Sequence, residues 1–118
     1  MHSNRIVLPA AQRLTQPRTF QTATRRGSRA ASRTLVTHLW KPGGDQPPRV
    51  GFVVNKAVGN AVVRNRVKRR LRHLVREHLA SLPDSAVLVL RALPPAAAAS
   101  SSELDADLVR CLDRADRP

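Results

Sequence analysis

Tyrosine is absent from this 118-residue chain, and its only aromatic residues are Phe20, Trp40 and Phe52. The core must therefore be built from Val, Leu and Ala, and any stacking surface from one of three rings. A single cysteine, Cys111, excludes an internal disulfide and a zinc site built on paired cysteines. It reads instead as a small apolar residue. No apolar run is long enough to cross a bilayer. The N-terminus lacks a continuous apolar signal-peptide core, so the expected compartment is the cytoplasm, with no membrane partner. No internal repeat is visible. The length suits one domain, taken as residues 1–118 with loose termini at 1–7 and 116–118.

Acid is also scarce. Eight Asp and Glu face 21 Lys and Arg, for a net charge of +13. Residues 1–76 hold 17 of the cations and one acid, Asp45, for a net of +16, while residues 77–118 sum to −3. Solubility needs no such excess, and self-repulsion costs stability. A polyanion would offset it: nucleic acid first, an anionic membrane second. Only Lys41, Lys56 and Lys68 are lysines. Arginine's planar fork suits phosphate and base stacking.

Side chains suited to catalysis are few. His73 and His78 lie five apart, which is wrong for a zinc pair on one helix face. The acids sit mostly in the terminal third without an obvious carboxylate pair. Ser, Cys and His form no recognisable triad. The expectation is a protein with no catalytic residue and no metal site of its own.

The stretch "TQPRTFQTATRRG" reads as a short helix, with Thr15 as cap, Pro17 in the first turn and Gly27 at the end. Phe20 and Ala23 would face inward or into a groove, and Phe20 is a candidate stacking platform. "SRTLVTHLW" reads as a strand, with Leu35, Thr37 and Leu39 on one face and Val36, His38 and Trp40 on the other. After the turn-rich "KPGGDQPP", residues 49–54 read as a second strand, pairing with the first as a hairpin. Residues 86–93 read as a buried strand that joins the sheet by a crossover. Ser100 and Glu103 resemble a capping box, opening a last helix with Leu104, Leu108, Val109 and Leu112 on one face. The order helix, two or three strands, helix, strand, helix implies a two-layer α/β sandwich.

The firmest local feature is "GNAVVRNRVKRRLRHLVREHLA", residues 59–80. Val63, Val67, Leu71, Leu74, Val75 and Leu79 make one apolar stripe at a period of 3.6. Arg66, Arg69, Arg72, His73 and Arg76 fall opposite, with Arg64, Lys68 and Arg70 at the boundary. An ordinary solvated face mixes signs. This one sets Arg64 beside Lys68, Lys68 beside Arg72 and Arg72 beside Arg76, each like pair costing about 0.2–0.5 kcal/mol. The unbalanced charge points to polyanion binding.

Residues 49–77 closely resemble the bacterial ribonuclease P protein component. Their centre, "GNAVVRNRVKRRLR", matches that family's signature over 14 residues, including Arg64-Asn65-Arg66. The resemblance extends over residues 8–115. It implies a fold like the second domain of ribosomal protein S5, with a left-handed crossover. It also implies a subunit of a ribonucleoprotein endoribonuclease. The partners would be a catalytic RNA and precursor tRNA, with no obligate protein partner. The 5′ leader would be cut by RNA-bound Mg²⁺, and no cofactor would be held stably by the protein alone. Carried onto this chain, Arg64, Asn65, Arg66, Lys68, Arg69, Arg72 and Arg76 would face the catalytic RNA, bordered by Lys56 and Asn60. Phe20 would stack on the leader in a cleft between the first helix and the sheet, with Arg91 near the same surface. The family often has aromatics where this chain has Leu35, Thr37 and His38, and a second lysine where it has Ala57. Leader contacts are therefore expected to be weaker, or shared with His38 and Trp40.

Three other readings stand beside this one. A small ribosomal or other structured-RNA-binding protein would share the charge and size but not the 14-residue match. A DNA-binding factor would need a base-reading helix centre, where this face is nearly all positive charge. A protein-only nuclease would need a carboxylate cluster for metal.

Overall fold

The computed structural model describes residues 16–115. The first helix, α1, spans Pro17–Arg26, with Pro17 in its first turn and Gln16 at the N-cap position without a side-chain cap bond. The expected Thr15 cap lies outside the described residues. Gly27 closes α1 by donating its N–H to the Ala23 carbonyl at 2.8 Å.

Four strands form one sheet: β1 (Ser28–Ala31), β2 (Leu35–Trp40), β3 (Arg49–Val53) and β4 (Val87–Ala92). Their order is β1-β2-β4-β3, with β4 antiparallel to β2 and parallel to β3. This corrects the hairpin expected between residues 35–40 and 49–54, because β4 lies between them. The physical reason is burial. "VLVL" at 87–90 is apolar on both faces and fully buried, so it takes a central position, while Arg49 and Val53 at the ends of β3 stay half exposed at the edge. Strand β1 pairs antiparallel with β2 and supplies the third strand before the long helix.

The parallel β3–β4 pair requires a crossover, and helix α2 (Ala61–Arg76) is its main element. The helix is shorter than the sequence pattern suggested. Leu79 belongs to a following 3-10 turn, Leu79–Ser81. Val67, Leu71, Leu74 and Val75 are buried, and Val63 packs at the margin. Each full burial stabilises by about 1.5–3 kcal/mol, which outweighs the like-charge repulsion along the outer face.

The main core forms where α2 and the last helix, α3 (Ser101–Ala115), cover the face carrying Leu35, Leu39, Val50, Leu88 and Leu90. The capping box is present: Ser100 N–H donates to Glu103 at 2.8 Å, and Glu103 N–H to Ser100 Oγ at 3.1 Å. On α3 the buried stripe is Leu104, Leu108, Cys111 and Ala115, with Leu112 at the edge and Val109 turned outward. Buried Asp107 accepts from Thr34 Oγ1 at 2.6 Å and from Arg110 at 2.6 Å, pinning α3 to the start of β2. The alanine-rich stretch after β4 forms a 3-10 turn, Pro94–Ala97, and its small side chains let Ala96 and Ala99 sink into the core.

The other sheet face, with Val36, His38 and Trp40 of β2 and Val87, Val89 and Arg91 of β4, carries α1. There Ala23, Val87 and Val89 form a second, smaller apolar cluster edged by Phe20, Trp40 and Val53.

Candidate nucleic-acid interface

Helix α2 begins at Asn60, whose side-chain oxygen accepts from Val63 N–H at 3.0 Å. Gly59 precedes it because a β-carbon there would strike Val63. The oxygen of Asn60, expected at the border of the RNA face, is thus engaged in capping. Lys56 is exposed on the turn that leads from β3 into α2, and buried Val58 anchors that turn in the core. Asn55 shapes the same turn, accepting from the Ala57 N–H at 3.0 Å.

Along α2, Asn65, Arg66, Arg69, His73 and Arg76 are exposed, while Arg64, Lys68, Arg70 and Arg72 lie half-buried along the flanks. The helix carries seven Lys and Arg and no acid. Among the described residues, none of the seven forms an ion pair with a carboxylate. The first turn puts Arg64 near the positive helix pole with no acid in that turn, an arrangement that a bound anion would relieve. Two arginines are partly committed within the fold. Arg66 donates to the Ala97 carbonyl at 3.3 Å and Arg70 to that of Ala99 at 3.0 Å. Sequence reasoning had no signal for these bonds, since their acceptors are backbone atoms about thirty positions away.

On the opposite sheet face, Phe20, Gln21, Thr24 and Arg25 of α1 face His38, Val53, Val89 and Arg91 across a cleft of about 360 Å³. The fold thus brings together three of the four residues expected at the leader: Phe20, His38 and Arg91. Trp40 lies on the same face, one row further along β2, outside this cleft. Among the described residues no acid lines the cleft, and Arg25 and Arg91 place two positive charges in its wall. His38 is only 8% exposed, and its Nδ1 is buried with no hydrogen-bond partner among the described residues. Burial, and then the nearby Arg29 and Arg91 charges, lower its pKa, so the ring is neutral at pH 7. Two further cleft elements were missed in the sequence. Arg25 falls one helical turn beyond the Phe20–Gln21 pair, and Gly51 is where the Phe20 ring comes to rest. A glycine inside a strand pattern was the available signal for the second.

The cleft and α2 are joined through Val53 and the loop 54–60. Among the described residues, no three His, Cys, Asp or Glu side chains gather as metal ligands would, and no helix is long and apolar enough to cross a membrane.

Comparison with known proteins converges on one family. The ribonuclease P family model matches residues 8–116. The chain is 64% identical to the ribonuclease P protein component of a Nocardioides species over 110 residues, covering 92% of this chain and 94% of the relative. It is 50% identical to that of Streptomyces griseus, again covering 92% of this chain and 94% of the relative. Among solved structures, the Staphylococcus aureus ribonuclease P protein superposes with a TM-score of 0.77 at 27% identity, covering 90% of this chain and 96% of that one. The Thermotoga maritima protein shares the fold, with a TM-score of 0.74 at 23% identity over 90% of this chain and 98% of that one. By the family match over residues 8–116 and these relatives, the chain, with its cationic helix and basic cleft, belongs to the ribonuclease P protein family.

Proposed function

We propose that this protein binds the catalytic RNA of ribonuclease P through the outer face of α2 and holds the 5′ leader of precursor tRNA in the cleft between α1 and the sheet. The RNA performs the Mg²⁺-dependent cut that generates the mature tRNA 5′ end. The protein's residues do three things. Arg64, Arg66, Lys68, Arg69, Arg72 and Arg76, with Asn65, neutralise and position RNA phosphates. Lys56 extends that surface toward the cleft. Phe20 offers a ring to an unpaired base while Arg25 and Arg91 attract the leader backbone. His38, held neutral, forms the cleft floor without adding charge. Trp40 borders the same face.

The observation that carries this reading is the row of seven cations on α2 without a carboxylate partner among the described residues, on a helix whose other side is firmly buried. Catalytic RNA and precursor tRNA repel each other, and cations at their junction reduce that repulsion. The Mg²⁺ belongs, in this reading, to the RNA, where it supplies charge stabilisation and an activated water.

The test is reconstitution. Protein, cognate catalytic RNA and a 5′-extended tRNA are mixed at low Mg²⁺, and the 5′ end of the product is mapped. Cleavage at the mature 5′ end that needs both RNA and protein supports the proposal. Leader cleavage by the protein without RNA, or no stimulation by the protein, would overturn it.

A further inference from the structure

Beside the leader cleft, the same sheet face carries a second hollow of about 400 Å³, whose lining includes Trp40, Pro42, Gln46, Pro47, Arg49 and Ser85. Trp40 and Arg49 both sit opposite Val87 in the strand register, so indole and guanidinium flank one row of the sheet. Arg91, in the cleft wall, is four residues further along β4. Arg91 and the Trp40–Arg49 row are therefore about 13 Å apart along the strands. Between them, Ala23 of α1 packs on Val87 and Val89 in the small cluster that Phe20 and Trp40 both edge.

The hollow is preformed. Its wall, the connector 41–48, is pinned to the turn before β4: Gln46 N–H donates to Ser85 Oγ at 3.0 Å, and Ser85 N–H to the Gln46 carbonyl at 2.6 Å. Ser85 is held at φ +62°, a left-handed conformation costly for a serine, and Gly44 abuts it where a β-carbon would collide with its hydroxyl. Among the described residues, Arg49 is the only ionisable one in the lining. Asp45, the one acid in the connector, instead accepts from Gln46 Nε2 at 3.2 Å. A half-exposed indole beside an unopposed guanidinium suits an aromatic ring carrying a phosphate, which is the chemistry of a single nucleotide.

We propose that this hollow is a second leader subsite. It takes an unpaired nucleotide upstream of the one in the cleft, with its base against Trp40 and its phosphate on Arg49. The inference rests on the reading that the cleft holds the leader. The direction follows from connectivity. Loop 54–60 ties the Val53 end of the cleft to α2, so a leader arriving from the RNA side reaches Trp40 last. The separation spans at most about four nucleotides, since the 3.4 Å rise of a fully stacked strand is the shortest spacing.

Trp40 is the only tryptophan and the chain has no tyrosine, so the intrinsic emission of the holoenzyme reports this hollow alone. The experiment titrates holoenzyme with two precursors, one whose leader reaches only the cleft and one extended by about four nucleotides. Trp40 emission should change with the extended leader and stay constant with the short one. Arg49→Ala should weaken the extended precursor about tenfold and leave the short one unchanged. The proposal is overturned by constant emission with both leaders, by equal losses for both in Arg49→Ala, or by an emission change on adding catalytic RNA alone. Phe20→Ala separates the two readings. If it weakens the short precursor while Arg49→Ala weakens neither, the cleft stands and the second subsite falls; if Phe20→Ala weakens neither precursor, the cleft reading itself fails.

Discussion

The ring of Phe20 rests on the bare backbone of Gly51, where a β-carbon would collide with the ring atoms Cζ, Cε1 and Cε2. One residue on a helix and one on the edge strand thus set the cleft between them. Gly51→Ala should push the ring off its seat while leaving the fold intact, because a ring edge can swing aside. Precursor binding should fall with little change for mature tRNA, approaching Phe20→Ala, which should cost about 1–3 kcal/mol if the ring stacks on a base. Binding assays on the double variant check this. Additive losses would show that Gly51 does not act through Phe20.

On α2, Arg69 is exposed and makes no bond among the described residues, whereas Arg66 also holds the Ala97 carbonyl. Arg69→Ala should weaken catalytic-RNA binding and flatten the log–log salt dependence by about one unit, at unchanged thermal stability. Arg66→Ala should give the same flattening plus a small drop in Tm. Filter binding across a salt series, with melting curves of the free proteins, distinguishes them.

The inner face of the same helix answers differently. Leu71 is fully buried against the sheet. Leu71→Asp should prevent folding, and Leu71→Ala should cost about 2–5 kcal/mol by leaving a cavity. Circular dichroism of the free protein is the measurement. A folded Leu71→Asp variant would contradict the docked stripe.

Asp107 gives the fold a pH dependence. Its pKa is lowered, first by the Thr34 hydroxyl and then by Arg110, against the opposing effect of burial. A carboxylate depressed in the folded state contributes stability that is full above its unfolded value, about 3.9, and is lost as pH falls through the folded value. Thr34→Val removes the buried donor and should cost about 1–3 kcal/mol at pH 7. The gap from the unsubstituted protein should narrow below about pH 4. Urea melts at several pH values test this, and a pH-independent gap would exclude the ion's part in it.

If the cations of α2 screen RNA from RNA, less Mg²⁺ should be needed once the protein is present. Half-maximal cleavage should occur at lower Mg²⁺ with the protein than without it. Equal values would remove screening as its contribution.

Local rules were enough to read α2, the turn chemistry at 41–48 and the Ser100–Glu103 cap from the residues alone, because each depends on neighbours a few positions apart. Periodicity of 3.6 identified which side of α2 docks, and the run of Lys and Arg without acids marked the other side as cationic. The alternation along β2 separated Leu35 and Leu39 from His38 and Trp40 for the same reason. The insertion of β4 between β2 and β3, the meeting of Phe20 with Gly51, and the bond from Thr34 to Asp107 across 73 positions left no such imprint. Those depend on which strand most needs shelter on both faces and on which backbone lies bare beneath a ring. Such competitions are decided only when the whole chain is packed, since long-range partners carry no periodic signal in one dimension.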